Sequence, residues 1–491
     1  MWLKILGCLL FVNAIFCDEN ISNMSKIYDT IVVGMGASGV SALSTLSKAG
    51  KSVLGVEAAD YIGGRVRTVQ FGRGIVEMGA EWIHGERPSK VFDLAKENNV
   101  PIVEQDLTAI TFRSDGTVLD SELLNELYGF CLDIVDYPPP QAQPLGDYIT
   151  SKLREHLASR PHILNDDDFM TGFLDLMNLL VNNYESSTDW NQVSTSSNYT
   201  PVDGNQHWSW HAYGYKTLFD ILLNKYNNGS GLSAEILLNT EVDNIEWSDD
   251  PKQDVTVVCK DGTRFKSKNV IVTVSLGVLK ERHSKLFTPN LPETKIAAIN
   301  HVTIGVMGKI ILKFDQIWWP KNSTWFAFLW TKADKSKIST EDEWVTKILG
   351  FSTPLGSENC LTFWTAGDSG IHIESLPGDV VKRKVMELLR TFAGKQYNIT
   401  DASGITRSNW YHNPLTRGSY TYDSITFTDY PTARQDLAAP LPNTDGSLKI
   451  LFAGEATNEY HFSTVHGAVE TGIREAERLL KTQDVKLISK I

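Results

Sequence analysis

The stretch from Tyr28 to Thr68 constrains this chain more than any other. An apolar run, Thr30 to Val33, breaks into Gly34-Met35-Gly36-Ala37-Ser38-Gly39. A helical pattern follows with Val40, Leu43 and Leu46 on one face, and it closes at Gly50. A second apolar run, Val53 to Val56, then ends in the acid Glu57. This is the strand–turn–helix–strand order of a dinucleotide site. Gly34 permits the tight turn, Gly36 lets the backbone approach a pyrophosphate, and Gly39 lets helix and strand pack closely. The helix N-terminus at Ala37 and Ser38 offers N–H groups and a positive dipole end to phosphates. Glu57 lies 18 residues beyond Gly39, where an acid accepts ribose hydroxyls and repels a 2′-phosphate, which argues against NADP. Alone, the stretch leaves NAD and FAD equally open.

A chain of 491 residues exceeds one compact core, so two or three domains are expected. In residues 1–17, Lys4 precedes an apolar run from Ile5 to Phe16, too short to span a bilayer and suited to a signal peptide cleaved after Ala14 or Cys17. No later segment reaches transmembrane length. Sequons at Asn20, Asn23, Asn198, Asn228, Asn322 and Asn398 agree with a secreted glycoprotein. The C-terminal Ser489-Lys490-Ile491, one residue off a peroxisomal ending, is the competing address. Cys131, Cys259 and Cys360 allow at most one disulfide, and no spacing of ligands suggests a metal. A net charge of −13 disfavours nucleic acid and suits cationic ligands.

Along the chain, helices are expected at 89–98, 121–137, 145–159, 216–225, 379–393 and 467–481. Strands are expected at 241–247, 254–260, 263–274, 303–315, 344–366 and 448–454. The run Val270 to Val274 is continuously apolar, as a strand buried on both faces would be. Residues 165–211, acidic first and then rich in Ser, Asn and Trp, show no strong period and read as a substrate-side insertion. Within it, Glu185 and Asp189 are read as solvated loop acids rather than anchors for a distal ammonium.

Gly63-Gly64-Arg65-Val66-Arg67-Thr68 resembles the second FAD motif of the flavin amine oxidases. Phe452-Ala453-Gly454-Glu455-Ala456-Thr457 with Ser463-Thr464-Val465-His466-Gly467-Ala468 resembles their C-terminal FAD motif, and Val272 to Lys280 a further block. The resemblance runs from about residue 28 to 481. It implies an α/β fold: a Rossmann-like FAD-binding domain of the GR2 type (26–95, 212–282, 404–481) and an α+β substrate domain with a mixed sheet (96–211, 283–403), both discontinuous. It adds Ala58, Gly64, Arg65, Gly79, Ala80, Glu81, Trp82, Val242, Trp410, Gly454, Glu455, Thr464 and Val465 to the FAD contacts. Arg65 is expected at the pyrophosphate, and Glu455 at ribityl or ribose hydroxyls.

Within that resemblance His84 matches a histidine that animal-type polyamine oxidases place near the substrate amine. Lys309 matches a lysine that holds a water against flavin N5; it lies in an apolar strand, where a lysine is costly without a role. Lys313, of the same strand parity, is the alternative. Ser419 stands where monoamine oxidases bond their flavin to a cysteine, so FAD is expected to be non-covalent. Tyr420 remains as one aromatic wall, and Thr464 replaces the other. The implied reaction is hydride transfer from a neutral polyamine (spermine, spermidine or an N-acetyl form) to flavin N5. Imine hydrolysis and O2 reoxidation then give an aldehyde, an amine and H2O2. The alternatives are a secreted L-amino-acid oxidase, for which no carboxylate-binding arginine is identifiable, and a flavoprotein that binds amines without turning them over.

Overall fold

A computed structural model describes residues 26–321 and 324–488. The expected signal stretch 1–17, Asn20, Asn23, Asn322 and the C-terminal Ser489-Lys490-Ile491 lie outside them. In chain order the elements that build the site are β1 (Ile27–Val33), α1 (Ala37–Lys48), β2 (Val53–Val56), β3 (Ala109–Arg113), α2 (Asp167–Glu185), β4 (Glu235–Leu237) and β5 (Val242–Glu246). They continue with β6 (Val255–Cys259), β7 (Arg264–Val272), β8 (Met307–Phe314), β9 (Trp325–Leu329), β10 (Gly350–Ser352) and β11 (Cys360–Ala366). The last are α3 (Gly378–Ala393), β12 (Ala402–Arg407), β13 (Leu448–Phe452) and α4 (Val465–Ile488).

Among the described residues two large sheets form. In the nine-stranded one, β4, β2, β1 and β7 run parallel side by side. The other edge of β7 is shared: its start pairs with antiparallel β6, and Val270–Val272 pair with parallel β13. Alternate residues supply two cores. Val32, Ile271 and Leu451 pack with Val40, Leu43 and Leu46 of α1 and Val469 of α4. Ile31, Val33, Val270, Val272, Ile450 and Phe452 pack on the opposite side with Ile299. Covering on both faces explains why these strands read as unbroken apolar runs.

The six-stranded sheet, β12-β8-β11-β10-β9-β3, is antiparallel except for the β9–β3 pair, and so is mixed. Ile310, Leu312 and Phe314 of β8 face a core closed by Val381, Val385 and Leu389 of α3. Lys309 and Ile311 point to the other face, where Ile311 packs with Val76, Met78 and Trp410.

Three expectations need correction. The stretch 165–211 carries a 19-residue helix, α2, started by Asp166, whose side chain accepts from the Phe169 N–H. Its apolar positions Met170, Phe173, Met177 and Val181 do keep a helical spacing, masked by the acids before them and the asparagines after. Residues 340–347 form a 3₁₀ turn rather than strand. Strand β12 belongs wholly to the six-stranded sheet, so a boundary at 404 falls inside a strand; Phe287–Thr288 joins the nine-stranded sheet beyond the expected limit at 282. Among the described residues no helix is long and apolar enough to cross a membrane.

Candidate active site

A cavity of about 1240 Å³ is lined by residues of both sheets. From the nine-stranded sheet come Gly34, Gly36, Ala37 and Ser38 at the β1–α1 turn, Glu57 and Ala58 after β2, and Val242 of β5. Gly34 has φ +94°, and a side chain on Gly39 would sit 1.9 Å from the Gly34 carbonyl. Gly39 therefore packs behind the cavity and is the one predicted cofactor residue that does not line it. Gly36 differs: a Cβ there would meet nothing closer than the Gly63 carbonyl at 3.8 Å. At Gly454, φ +137°, it would meet nothing within 4 Å. Helix α1 starts at the cavity with no side-chain cap, so its first N–H groups are open to an anion. Glu57 is held by the Met35 N–H (2.7 Å) and the Ala59 N–H (2.9 Å), which leaves lone pairs on both oxygens for hydroxyl donors. Burial raises its pKa, partly offset by those N–H groups. A glycine-cleared floor, an uncapped helix start and an anchored carboxylate fit the phosphate and ribose of a dinucleotide.

Gly64, Arg65, Gly454, Glu455, Thr464, Val465 and Trp410 also line the cavity, and two of them, Arg65 and Glu455, are bonded to each other. Arg65 Nη1 donates to Glu455 Oε1 (2.9 Å) and the Ser419 carbonyl (2.5 Å). Glu455 further accepts from Thr421 Oγ1 (2.8 Å) and the Ser463 N–H (2.9 Å). These two side chains thus join three separated stretches of chain around the cavity, and the Glu455 carboxylate is satisfied within the protein. Despite its burial the carboxyl is held below its ordinary pKa, by Arg65 foremost.

From the six-stranded sheet comes Lys309, 2% exposed, while Lys313 lies further along β8 and does not line the cavity. Lys309 Nζ donates to Glu81 Oε2 (2.6 Å), the Gly79 carbonyl (2.8 Å) and the Glu77 carbonyl (3.1 Å). An ammonium has three N–H groups. All three are taken, so a water at Lys309 would have to displace one of these acceptors. Beside it, Gly79, Ala80, Glu81 and Trp82 line the cavity, and Trp82 stacks on Trp364 with centroids 5.4 Å apart. His84 Nδ1 lies 2.8 Å from the Gln206 carbonyl. A carbonyl only accepts, so the proton sits on Nδ1 and Nε2 keeps its lone pair. Burial holds the His84 pKa below the ordinary histidine value. Tyr420 donates to the Asn183 carbonyl (2.5 Å), which fixes its ring against the cavity. The Thr464 hydroxyl is already committed: it donates to the His461 carbonyl (2.7 Å) and accepts from the Gly467 N–H (3.0 Å) at the start of α4. It shapes the wall rather than offering a free hydroxyl.

Sequence reasoning missed several groups. Glu185 is no loop acid: it is the last residue of α2 and lines the cavity, as does Asp136 at the end of the helix Ser121–Asp136. Neither carboxylate has a hydrogen-bond or ion-pair partner among the described residues. Burial, then Asp423, pushes Glu185 up to about 7; burial, then Asp133, raises Asp136. Tyr184 and Tyr199 line the same region. Asp189, by contrast, caps the turn Trp190–Gln192 through the Asn191 N–H (2.7 Å). His207 also lines the cavity, edge-on to Trp82 at 5.4 Å. It is brought there because Trp208–Ser209 pairs with both Trp82–Ile83 and Val103–Glu104. Helix-terminal acids after an apolar stripe were the available signal for Asp136 and Glu185; nothing local marks His207.

Residues 37–206 and 214–480 match the family of flavin containing amine oxidoreductases, and the chain belongs to that family. It is an FAD-dependent amine oxidase. Among its relatives, the peroxisomal N(1)-acetyl-spermine/spermidine oxidase of Bos taurus is 28% identical over 503 residues, covering 92% of this chain and 95% of the relative. The enzyme of the same name from Homo sapiens is 29% identical, covering 92% and 94%. Polyamine oxidase 1 of Zea mays is 27% identical, covering 93% and 91%.

Proposed function

We propose that this amine oxidase acts on polyamines, and the pair of unpartnered carboxylates Asp136 and Glu185 in the cavity carries that reading. Glu185 is half-buried without a cation, which is costly, and Asp136 beside it is open to solvent; a ligand with a second ammonium relieves the first and is attracted by both. Relatives named as polyamine oxidases point the same way. A single-amine substrate leaves both acids unpaired. An L-amino acid needs an arginine for its carboxylate; among the described residues the cavity-lining arginines are Arg65, bound to Glu455, and Arg282, bound to Glu241 and Asp243.

The glycine floor, the α1 N-terminus and Glu57 would hold FAD, which would supply a two-electron acceptor for the α-carbon hydride, with O2 as the final oxidant and H2O2 as its product. The chain does the rest. His84 Nε2 takes a proton from the substrate ammonium, so the reacting amine is neutral. Tyr420 and Trp82 flank the amine, and Asp136 and Glu185 hold the distal ammonium, so that chain length sets which carbon is presented. Once the C–N bond is oxidised to an imine, water adds and the product parts into aldehyde and amine. FAD is non-covalent: Ser419 offers no thiolate, and the described cysteines Cys131, Cys259 and Cys360 are buried away from the cavity.

The same reading keeps 1–17 as a secretion signal and assigns the nine-stranded sheet with its helices to an FAD-binding domain, the six-stranded sheet to a substrate domain. N-terminal sequencing of the native protein separates secretion from the Ser489-Lys490-Ile491 address. Substrate class is tested by peroxide release from spermine, N-acetylspermine and leucine side by side. Turnover of either polyamine but not leucine is expected; turnover of leucine alone defeats the reading.

A further inference from the structure

We propose that Glu81 and Lys309 act as one charge-neutral unit, in which Glu81 is a positioning residue that fixes Lys309 in the cavity wall and cancels its charge toward the bound flavin. The two side chains meet at 2.6 Å with 6% and 1% of their surface exposed. Burial this complete leaves Glu81 as the counter-ion, with little screening from solvent.

The other nearby acid is already occupied. Both carboxylate oxygens of Glu77 are engaged by Thr68 Oγ1 at 2.9 Å, and one also accepts from the Tyr215 N–H at 2.8 Å. Toward Lys309 it presents only its backbone carbonyl. The remaining neighbour of the ammonium is a ring: Nζ lies 4.6 Å from the centroid of Trp364, whose face is attractive to a cation but carries no net charge. Glu81 is therefore the carboxylate in direct contact with the ammonium, and Glu77 acts on Lys309 only at longer range.

The same ammonium also ties strand β8 to the strap 77–82 through the Glu77 and Gly79 carbonyls. Lys309 is thus a stitch that holds the strap carrying Trp82, with Glu81 keeping the stitch charged and aimed. An unpaired lysine at this wall would favour the electron-rich, reduced cofactor; a neutral pair would not.

The reduction potential of the bound flavin, measured by equilibrium titration without any amine, tests this independently of the substrate. Glu81→Gln keeps the shape and a hydrogen-bond acceptor for Lys309 but removes the negative charge. It is expected to raise the potential, and Glu81→Gln/Lys309→Met, which removes both charges, to return it to the wild-type value. A wild-type potential in Glu81→Gln overturns the proposal, as does a double variant that keeps the single variant's shift. If Glu81→Gln alone fails to retain flavin, the double variant decides. Flavin retained at the wild-type potential supports the neutral unit, and loss of flavin in the double variant overturns it.

Discussion

At the β1–α1 turn the cavity is bounded by backbone: glycines that clear a floor, an uncapped helix start, and one carboxylate, Glu57, steadied by main-chain N–H groups. Across the same cavity the wall is bounded by side chains, with Glu81, Lys309, Asp136, Glu185 and His207 arriving from five separate stretches. The first region is shaped for what every dinucleotide has in common, for which main-chain geometry suffices. On the proposed function the second recognises an amine and sets its protonation, which takes charges held at chosen points. Tolerance to substitution should differ accordingly: steric and all-or-none on one side, electrostatic and graded on the other.

The sharpest break comes inside the cradle. Gly39→Ala places a Cβ 1.9 Å from the Gly34 carbonyl and is expected to cost more than about 4 kcal/mol, read as loss of the cooperative thermal transition. Gly36→Ala, with 3.8 Å of room, should keep the apoprotein's transition and weaken FAD binding, seen as flavin lost on dilution. Equal damage from both would mean that the cradle is not built as described.

Next in size is acid lability arising on the amine side. Burial pushes His207 down to about 4 and His466 down to about 3, with His84 contributing to both shifts. The folded state therefore holds these rings neutral while the unfolded chain protonates them near pH 6.5. As pH falls below 6.5 the unfolded state binds the extra protons and stability drops. The loss continues to about pH 4 for His207 and about pH 3 for His466, at roughly 1.4 kcal/mol per pH unit per group. Denaturant midpoints between pH 7 and 4.5 should show this slope, and His207→Gln should flatten it.

A smaller, selective effect is expected at the distal acid. Glu185→Gln should raise KM for spermine about tenfold, roughly 1.4 kcal/mol, with kcat nearly unchanged and a short monoamine unaffected. A matching loss for the monoamine would remove Glu185 from the distal contact. Least affected should be the surface: Glu126 pairs with Arg160 at 2.6 Å in the open, and Glu126→Gln should change stability by less than about 1 kcal/mol.

Much of the fold could be read in advance where chemistry repeats locally. The strand–turn–helix–strand unit and the unbroken apolar run through Val270–Val272 follow from neighbours in sequence, as does the helix Gly378–Ala393. Helix α2 was missed because polar ends hid a regular apolar stripe. Glu185 was misjudged because exposure of a helix-terminal acid depends on what stands opposite, here Tyr420 and Asp423, more than two hundred residues later.

What the sequence by itself determined is the cradle, since the φ of a turn, the dipole of a helix start and the reach of Glu57 are local properties of the backbone. Only the tertiary structure decided the partners of the ionised side chains. The protein partner of Arg65 is Glu455 and that of Lys309 is Glu81, and neither pairing was legible in the sequence. The reason is physical: a buried charge is stable only beside an opposite charge or well-aimed dipoles, and which ones come within 3 Å is set by how distant segments pack.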